Sequence, residues 1–179
     1  MTDDRKKIIV LDRDGVINRE LGHAVTRVEE FEFLPGVLEA IARITERGYP
    51  IYIASNQSAV GRGIMTEDAL MDITRTMLAA INEHNGRIAG VIYCCHGPEE
   101  GCSCRKPKPG LLQEIAELAK TRTDNLVMVG DSHRDLEAAR EAGAVPVLVL
   151  TGNGKRLADG GLPEGLCRCT DLLAFSYLV

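Results

Sequence analysis

The 179-residue sequence predicts an α/β fold built on a doubly wound parallel sheet. Two observations carry this. Five short β-branched runs are nearly continuous in hydrophobicity, as strands buried on both faces of a parallel sheet are. Longer segments of helical period alternate with them, the rhythm of strand, crossover helix and parallel strand.

Taken in order, "KIIVLD" supplies the first strand and "PGVLEAIARITERG" the first helix, entered through Pro35-Gly36 and stopped at Gly48. "PIYIAS" is the second strand, and "TEDALMDITRTMLAAINEHNG" is a long helix opened by the Thr-Glu-Asp of an N-terminal cap. "GVIYCC" follows as the third strand, then the helix "PGLLQEIAELAK", the strand "NLVMVGD", the helix "SHRDLEAAREAG" and the strand "VPVLVLT". The Gly-rich stretch 151–165 reads as a mobile loop, and "DLLAFSYL" reads as a short terminal helix. There is no internal repeat and no low-complexity linker, so one domain over residues 1–179 is expected.

Apolar residues make up 45% and charged residues 26% of the chain, the balance of an ordinary globular protein. A formal net charge of −5 argues against general attraction to nucleic acid or to an anionic membrane and favours small-molecule partners. The charged start "MTDDRKK" precedes neither a signal-peptide core nor a long apolar span, so a cytoplasmic protein is expected. Reducing conditions there turn clustered cysteines into metal ligands or reactive thiols rather than disulfides.

Open parallel sheets bind ligands where their strands end. The first strand ends in "LDRDG", placing Asp12 and Asp14 two residues apart before Gly15. Alone, such a pair reads as a solvated acidic turn, although the two carboxylates repel unless something positive holds them. The fourth strand ends at Asp131, with Asp135 one turn into the next helix, where the two could serve as a cap and a first-turn acid. The second strand ends in Ser55 and Asn56, donors suited to a phosphate oxygen or to a plain polar turn. Lys106 stands before the helix that begins near Pro109 and offers a compact positive charge.

In this order "LDRDG", "IASN", "RKPKPG" and "VGDSHRD" resemble the four motifs of the haloacid dehalogenase-like phosphatase superfamily. The resemblance implies a Rossmann-like core and phosphate-ester hydrolysis through an aspartyl-phosphate. Asp12 would be the nucleophile, and Asp14, protonated, the acid that then serves as base. A Mg²⁺ ion would be held by Asp12, the backbone carbonyl of Asp14 and Asp131, and Ser55 and Lys106 would stabilise the transferring phosphoryl group. The short links between motifs leave no room for a separate cap domain, so the segment 19–33 and the cysteine loop must close the site.

That loop, residues 94–104, brings Cys94, His96, Cys102 and Cys104 together as C-x-H and C-x-C pairs. Three thiolates and one imidazole make the closed tetrahedral set that structural zinc prefers. Free buried cysteines beside a surface histidine are the plainer alternative, and a C-x-C redox pair is weaker for want of a helix-start C-x-x-C setting. Cys95 is left over as a residue facing the core, and Cys167 and Cys169 read as two core-facing thiols on a short strand.

The loop running into "CRKPKPG" is similar to the histidinol-phosphate and heptose-bisphosphate branch of the superfamily, and "SNQSAVGRG" favours its heptose-bisphosphate members. The histidinol members usually carry an acid where Ser58 stands. This resemblance implies a sugar bisphosphate substrate that loses its 7-phosphate, on the route to nucleotide-activated heptose and lipopolysaccharide or surface glycans. Gln57 joins the substrate-binding set, Arg105 would recognise the second phosphate, and Glu20 and His23 are candidate sugar contacts. Ser132 stands where such enzymes often carry Lys. A monomer acting on neither nucleic acid nor membrane is expected. The alternatives are a histidinol-phosphate phosphatase and, more distantly, a zinc-bearing module for nucleic-acid ends, against which a 4% aromatic content and the absence of Trp count.

Overall fold

A computed structural model describes residues 6–179, and the charged start read in residues 1–5 lies outside them. Six strands form one parallel sheet in the order β3-β2-β1-β4-β5-β6: β1 (Ile8–Leu11), β2 (Ile51–Asn56), β3 (Gly90–Cys94), β4 (Leu126–Gly130), β5 (Val145–Val149) and β6 (Cys167–Cys169). The helices are α1 (Val37–Glu46), α2 (Ser58–Gly61), α3 (Glu67–Glu83), α4 (Gly110–Leu118), α5 (His133–Ala142), α6 (Gly154–Asp159) and α7 (Leu172–Ser176).

The alternation of side chains along each strand divides the core into two layers. Ile9 and Leu11 of β1, Ile51 and Ile53 of β2, and Val127 and Val129 of β4 face one side, where α1, the end of α3 and α7 cover them. Ile8, Val10, Ala54, Leu126 and Met128 face the other, under Leu111, Leu112 and Ile115 of α4 and Ala138 and Ala139 of α5. Burial on both faces explains why these strands read as unbroken apolar runs. A third, smaller cluster joins Val25 to Ala59, Met65, Leu70 and Ile73, fixing the segment 19–33 against α2 and α3. That segment is tied at its base by backbone bonds from Arg19 to Glu32 (2.9 Å) and from Leu34 to Ile17 (3.0 Å).

The expected cap of α3 forms, and α7 gains one as well. The Thr66 hydroxyl accepts the Ala69 N–H at 3.1 Å ahead of α3, and Asp171 accepts that of Ala174 at 2.7 Å ahead of α7. Two expectations need correction. Residues 151–165 contain α6, and its first residue is packed so tightly that a Cβ on Gly154 would lie 1.8 Å from the Val149 carbonyl oxygen. Glycines placed there for close packing read in the sequence as freedom. Cys167 and Cys169 do not both face the core: β6 is an edge strand, and Cys167 is exposed while Cys169 is buried. Among the described residues no helix is long and apolar enough to cross a membrane.

The sheet winds outward from β1 in one direction through β2 and β3, and in the other from β4 through β5 and β6. Crossovers therefore diverge between β1 and β4, opening a crevice at their carboxyl ends. Backbone crowds this point. A Cβ on Gly130, the last residue of β4, would lie 2.2 Å from that of Asp135. Gly130→Ala should destabilise the protein by about 1–3 kcal/mol through overpacking, read as a lower midpoint of denaturant unfolding.

Candidate active site

β1 releases the chain at Asp12 and the adjacent β4 releases it at Asp131, so topology alone sets the two acids side by side at the crevice. β2 ends with Ser55 and Asn56, and the loop before α4 delivers Lys106.

Lys106 is 2% exposed, and its ammonium lies 3.0 Å from Asp12 Oδ1, 2.5 Å from Asp135 Oδ1 and 2.8 Å from the Ala54 carbonyl oxygen. Those three partners use all three of its donors. Burial works against its charge, yet Asp12 and Asp135 outweigh burial and hold it above the ordinary lysine range. The Asn56 amide clips the Lys106 backbone from both sides, accepting its N–H at 3.0 Å and donating to its carbonyl at 2.9 Å. Asn56, expected to bind substrate, lines the cleft and also uses its side-chain amide to place the lysine.

Burial pushes the Asp12 carboxyl up to about 7 despite Lys106, with Asp135, Asp131 and Asp14 adding to the rise. Burial likewise raises Asp131 to about 6, against hydrogen bonds from Asn153. Asp135 bonds Lys106 with one oxygen and takes the Ser132 N–H (3.1 Å) and hydroxyl (2.5 Å) on the other. It both caps α5 and braces the lysine. Carboxylate oxygens of Asp12, Asp131 and Asp135 lie within 4.8 Å of one another. Three acids around one ammonium leave excess negative charge, and with Asp135 fully engaged, Asp12 and Asp131 fit a hard, oxygen-seeking divalent cation.

Asp14 is held differently. Its carboxylate receives the Arg13 guanidinium at 3.0 Å, the Asn18 amide at 2.9 Å and the Gln57 amide at 2.8 Å. Burial pushes this group up, but Arg13 and these bonds pull it below the usual carboxylate range. The two neighbouring acids are thus held in opposite directions, Asp12 raised by burial and Asp14 lowered by Arg13 and its hydrogen-bond donors. Sequence reasoning passed over Arg13, which is 0% exposed. A charge locked between two acids in "LDRDG" was the available signal.

Ser55 is buried, its hydroxyl accepting from Gln57 at 3.1 Å. These residues line a cleft of about 230 Å³ whose rim includes Glu20, His23 and Arg105, where the sequence places them. Arg134, one position before Asp135, reaches the same cleft and went unrecognised.

Beside the cleft, Cys94 and Cys104 sulfurs lie 3.2 Å apart, Cys94 and Cys102 3.7 Å, and the His96 ring Nδ1 is 3.7 Å from Cys94 and 3.3 Å from Cys104. Zinc–sulfur bonds of about 2.3 Å imply tetrahedron edges near 3.8 Å. The set fits a tetrahedral soft-ligand cation. Burial drives the Cys94 thiol up to about 12, so a metal is what would stabilise its thiolate. Cys95 packs into the third core cluster, outside this set.

Residues 103–164 match the family described as "HAD-hyrolase-like". The chain is 44% identical over 169 residues, 94% of each chain, to D-glycero-beta-D-manno-heptose-1,7-bisphosphate 7-phosphatase of Bordetella bronchiseptica. It is 42% identical to the enzyme of that name from Pseudomonas putida, over 95% of this chain and 97% of the other. The chain belongs to the heptose-bisphosphate phosphatase family. A crystal structure of the B. bronchiseptica heptose-bisphosphate phosphatase, complexed with magnesium and phosphate, superposes with a TM-score of 0.92 at 43% identity, covering 96% of this chain and 97% of that one. The family enzyme from Burkholderia thailandensis covers the same shares at 40% identity and a TM-score of 0.74.

An acid whose folded titration point lies above its unfolded one stabilises the fold only while protonated, so in the metal-free protein the contribution of Asp12 is lost as pH rises from about 4 through the folded value of about 7. Asp12→Asn removes that liability. Its melting temperature relative to wild type, in magnesium-free buffer, should therefore climb between pH 5 and pH 7.5 by several degrees, on the order of 1 kcal/mol.

Proposed function

We propose that this chain hydrolyses D-glycero-β-D-manno-heptose 1,7-bisphosphate, releasing the 7-phosphate, as its named relatives do. The observation that carries the reading is the buried Lys106 joining Asp12 to Asp135 beside Asp131, in a chain similar over 94% of its length to those phosphatases.

An Asp12 oxygen attacks phosphorus; the new O–P bond forms as the bond to the sugar oxygen breaks. Asp14 gives that oxygen a proton, then takes one from the water whose oxygen displaces Asp12 and frees inorganic phosphate. Arg13 and its hydrogen-bond donors pull Asp14 down in the free site, and the negative charge of the bound phosphate pushes it back up toward the protonated form that the first step needs. Lys106 trades one of its present partners for a phosphoryl oxygen, with the Ser55 hydroxyl beside it. The Asp12 and Asp131 side chains and the Asp14 carbonyl would hold Mg²⁺, which when bound neutralises phosphoryl charge. Cys94, His96, Cys102 and Cys104 would hold a structural Zn²⁺ that orders the approach to Arg105 and Lys106.

Arg105 and Arg134, both on the cleft, take the second phosphate; Arg134 supplies the cation that Ser132 does not. Glu20 and His23 on the rim face the sugar hydroxyls. On this reading the chain works as a single-domain monomer in the cytoplasm on a soluble sugar bisphosphate, supplying precursors of lipopolysaccharide or surface glycans, with neither nucleic acid nor membrane taking part.

Asp12→Asn should lower turnover about a thousandfold or more while the protein stays folded. On a panel, the β-bisphosphate should be hydrolysed faster than its α anomer and far faster than histidinol phosphate; preference for histidinol phosphate would overturn the assignment. Arg134→Ala should raise KM for the bisphosphate about tenfold, the loss of one charged hydrogen bond, with little change in kcat. An equal effect on a substrate with a single phosphate would remove Arg134 from the second-phosphate site.

A further inference from the structure

We propose that the turn Thr151–Asn153 after β5 positions Asp131 for its metal, with Asn153 as the positioning residue. The inference rests on the reading of Asp131 as a Mg²⁺ ligand.

Asn153 donates twice to a single atom, its backbone N–H reaching Asp131 Oδ2 at 2.8 Å and its side-chain amide at 3.2 Å. Among the described residues Asp131 Oδ1 receives no hydrogen bond. Two donors on one oxygen leave the other as the uncompensated acceptor, and they fix the plane of the carboxylate so that this oxygen keeps its direction. The Asn153 amide is itself oriented. Arg156 donates to its oxygen at 3.0 Å, which turns the amide nitrogen toward Asp131.

Backbone shape enforces the contact. Gly152 has φ +53°, and a Cβ there would lie 2.2 Å from Asp131 Oδ2 and 2.7 Å from the Gly15 Cα. A Cβ on Gly15, at φ +84°, would also come within 2.2 Å of Asp131 Oδ2. Two glycines in left-handed conformation thus sandwich one carboxylate oxygen, where a side chain would displace it. The Thr151 hydroxyl donates to the Gly15 carbonyl at 2.7 Å, tying the turn to the loop that carries Asp14. The turn is anchored below by the Gly154 N–H on the Thr151 carbonyl at 2.8 Å and by the Leu150 N–H on the Cys169 carbonyl at 2.9 Å. β5, which bears no acid of the site, therefore contributes through its following turn. Removing such a supporting hydrogen bond typically weakens metal affinity tenfold to a hundredfold.

The test measures Mn²⁺ binding to the zinc-replete protein without substrate, from the electron paramagnetic resonance signal of free Mn²⁺, for wild type, Asn153→Ala, Gly152→Ala and Asp131→Asn. Asn153→Ala keeps the backbone bond and the fold and should bind Mn²⁺ about tenfold more weakly. Its Mg²⁺ activation constant should rise by the same factor, while kcat at saturating Mg²⁺ and KM for the bisphosphate return close to wild type. A structural defect alone would not follow that pattern. Gly152→Ala, if it folds, should lose affinity further. Wild-type Mn²⁺ affinity in Asn153→Ala, with binding lost in Asp131→Asn, would overturn the clamp and leave Asp131 as ligand. Wild-type affinity in Asp131→Asn would overturn the ligand assignment and the clamp with it.

Discussion

A single buried ammonium organises this molecule. Lys106 sits at the convergence of four chain segments, bonding Asp12 at the end of β1, the Ala54 carbonyl in β2 and Asp135 in α5 from its own loop before α4. An unpaired charge at that depth would be strongly unfavourable, and so would the surrounding carboxylates without it; removing one partner of a buried pair costs about 3–5 kcal/mol. The three acids and the lysine thus depend on one another, and fold and site cannot be separated at this point. The Asn56 clip on the Lys106 backbone serves the same end.

Around that centre the cysteine loop is wired into the acids rather than attached beside them. The Cys94 carbonyl accepts the Gln57 N–H at 2.7 Å, and the Gln57 side chain bonds Asp14. Cys104 leads directly into Arg105 and Lys106. Lys108 reaches back to the carbonyls of Gly101 and Cys102 at 3.0 and 2.6 Å. Order in the loop is therefore order in the stretch of chain that carries Lys106.

Much of this was legible in the sequence because parallel strands leave a strong trace. Continuous apolar runs ended in Asp12, Ser55 and Asp131, and a switch point of the sheet does the rest. The compact spacing of Cys94, His96, Cys102 and Cys104 made a four-ligand set visible as well. What escaped is what depends on approach in space. Arg13 looks like a surface charge in a string of letters, yet it is fully buried against the adjacent Asp14, and Asp135, legible as a first-turn acid, is fully buried because Lys106 arrives from elsewhere in the chain. Asn153 lies in a glycine-rich stretch, and composition alone does not distinguish a glycine that permits motion from one that admits a carboxylate at van der Waals contact. Cys167 and Cys169 share a period-two spacing, but an edge strand leaves one of them outside.

The segment 19–33 has a thermodynamic consequence. Its base is closed by backbone bonds, and Val25, at 1% exposure, is packed with Leu21, Val28 and Phe31 against Ala59, Met65, Leu70 and Ile73. The rim that carries Glu20 and His23 is thus ordered by the fold itself, before any ligand arrives. A ligand entering the cleft then has no long loop to immobilise, so its association is spared that ordering cost.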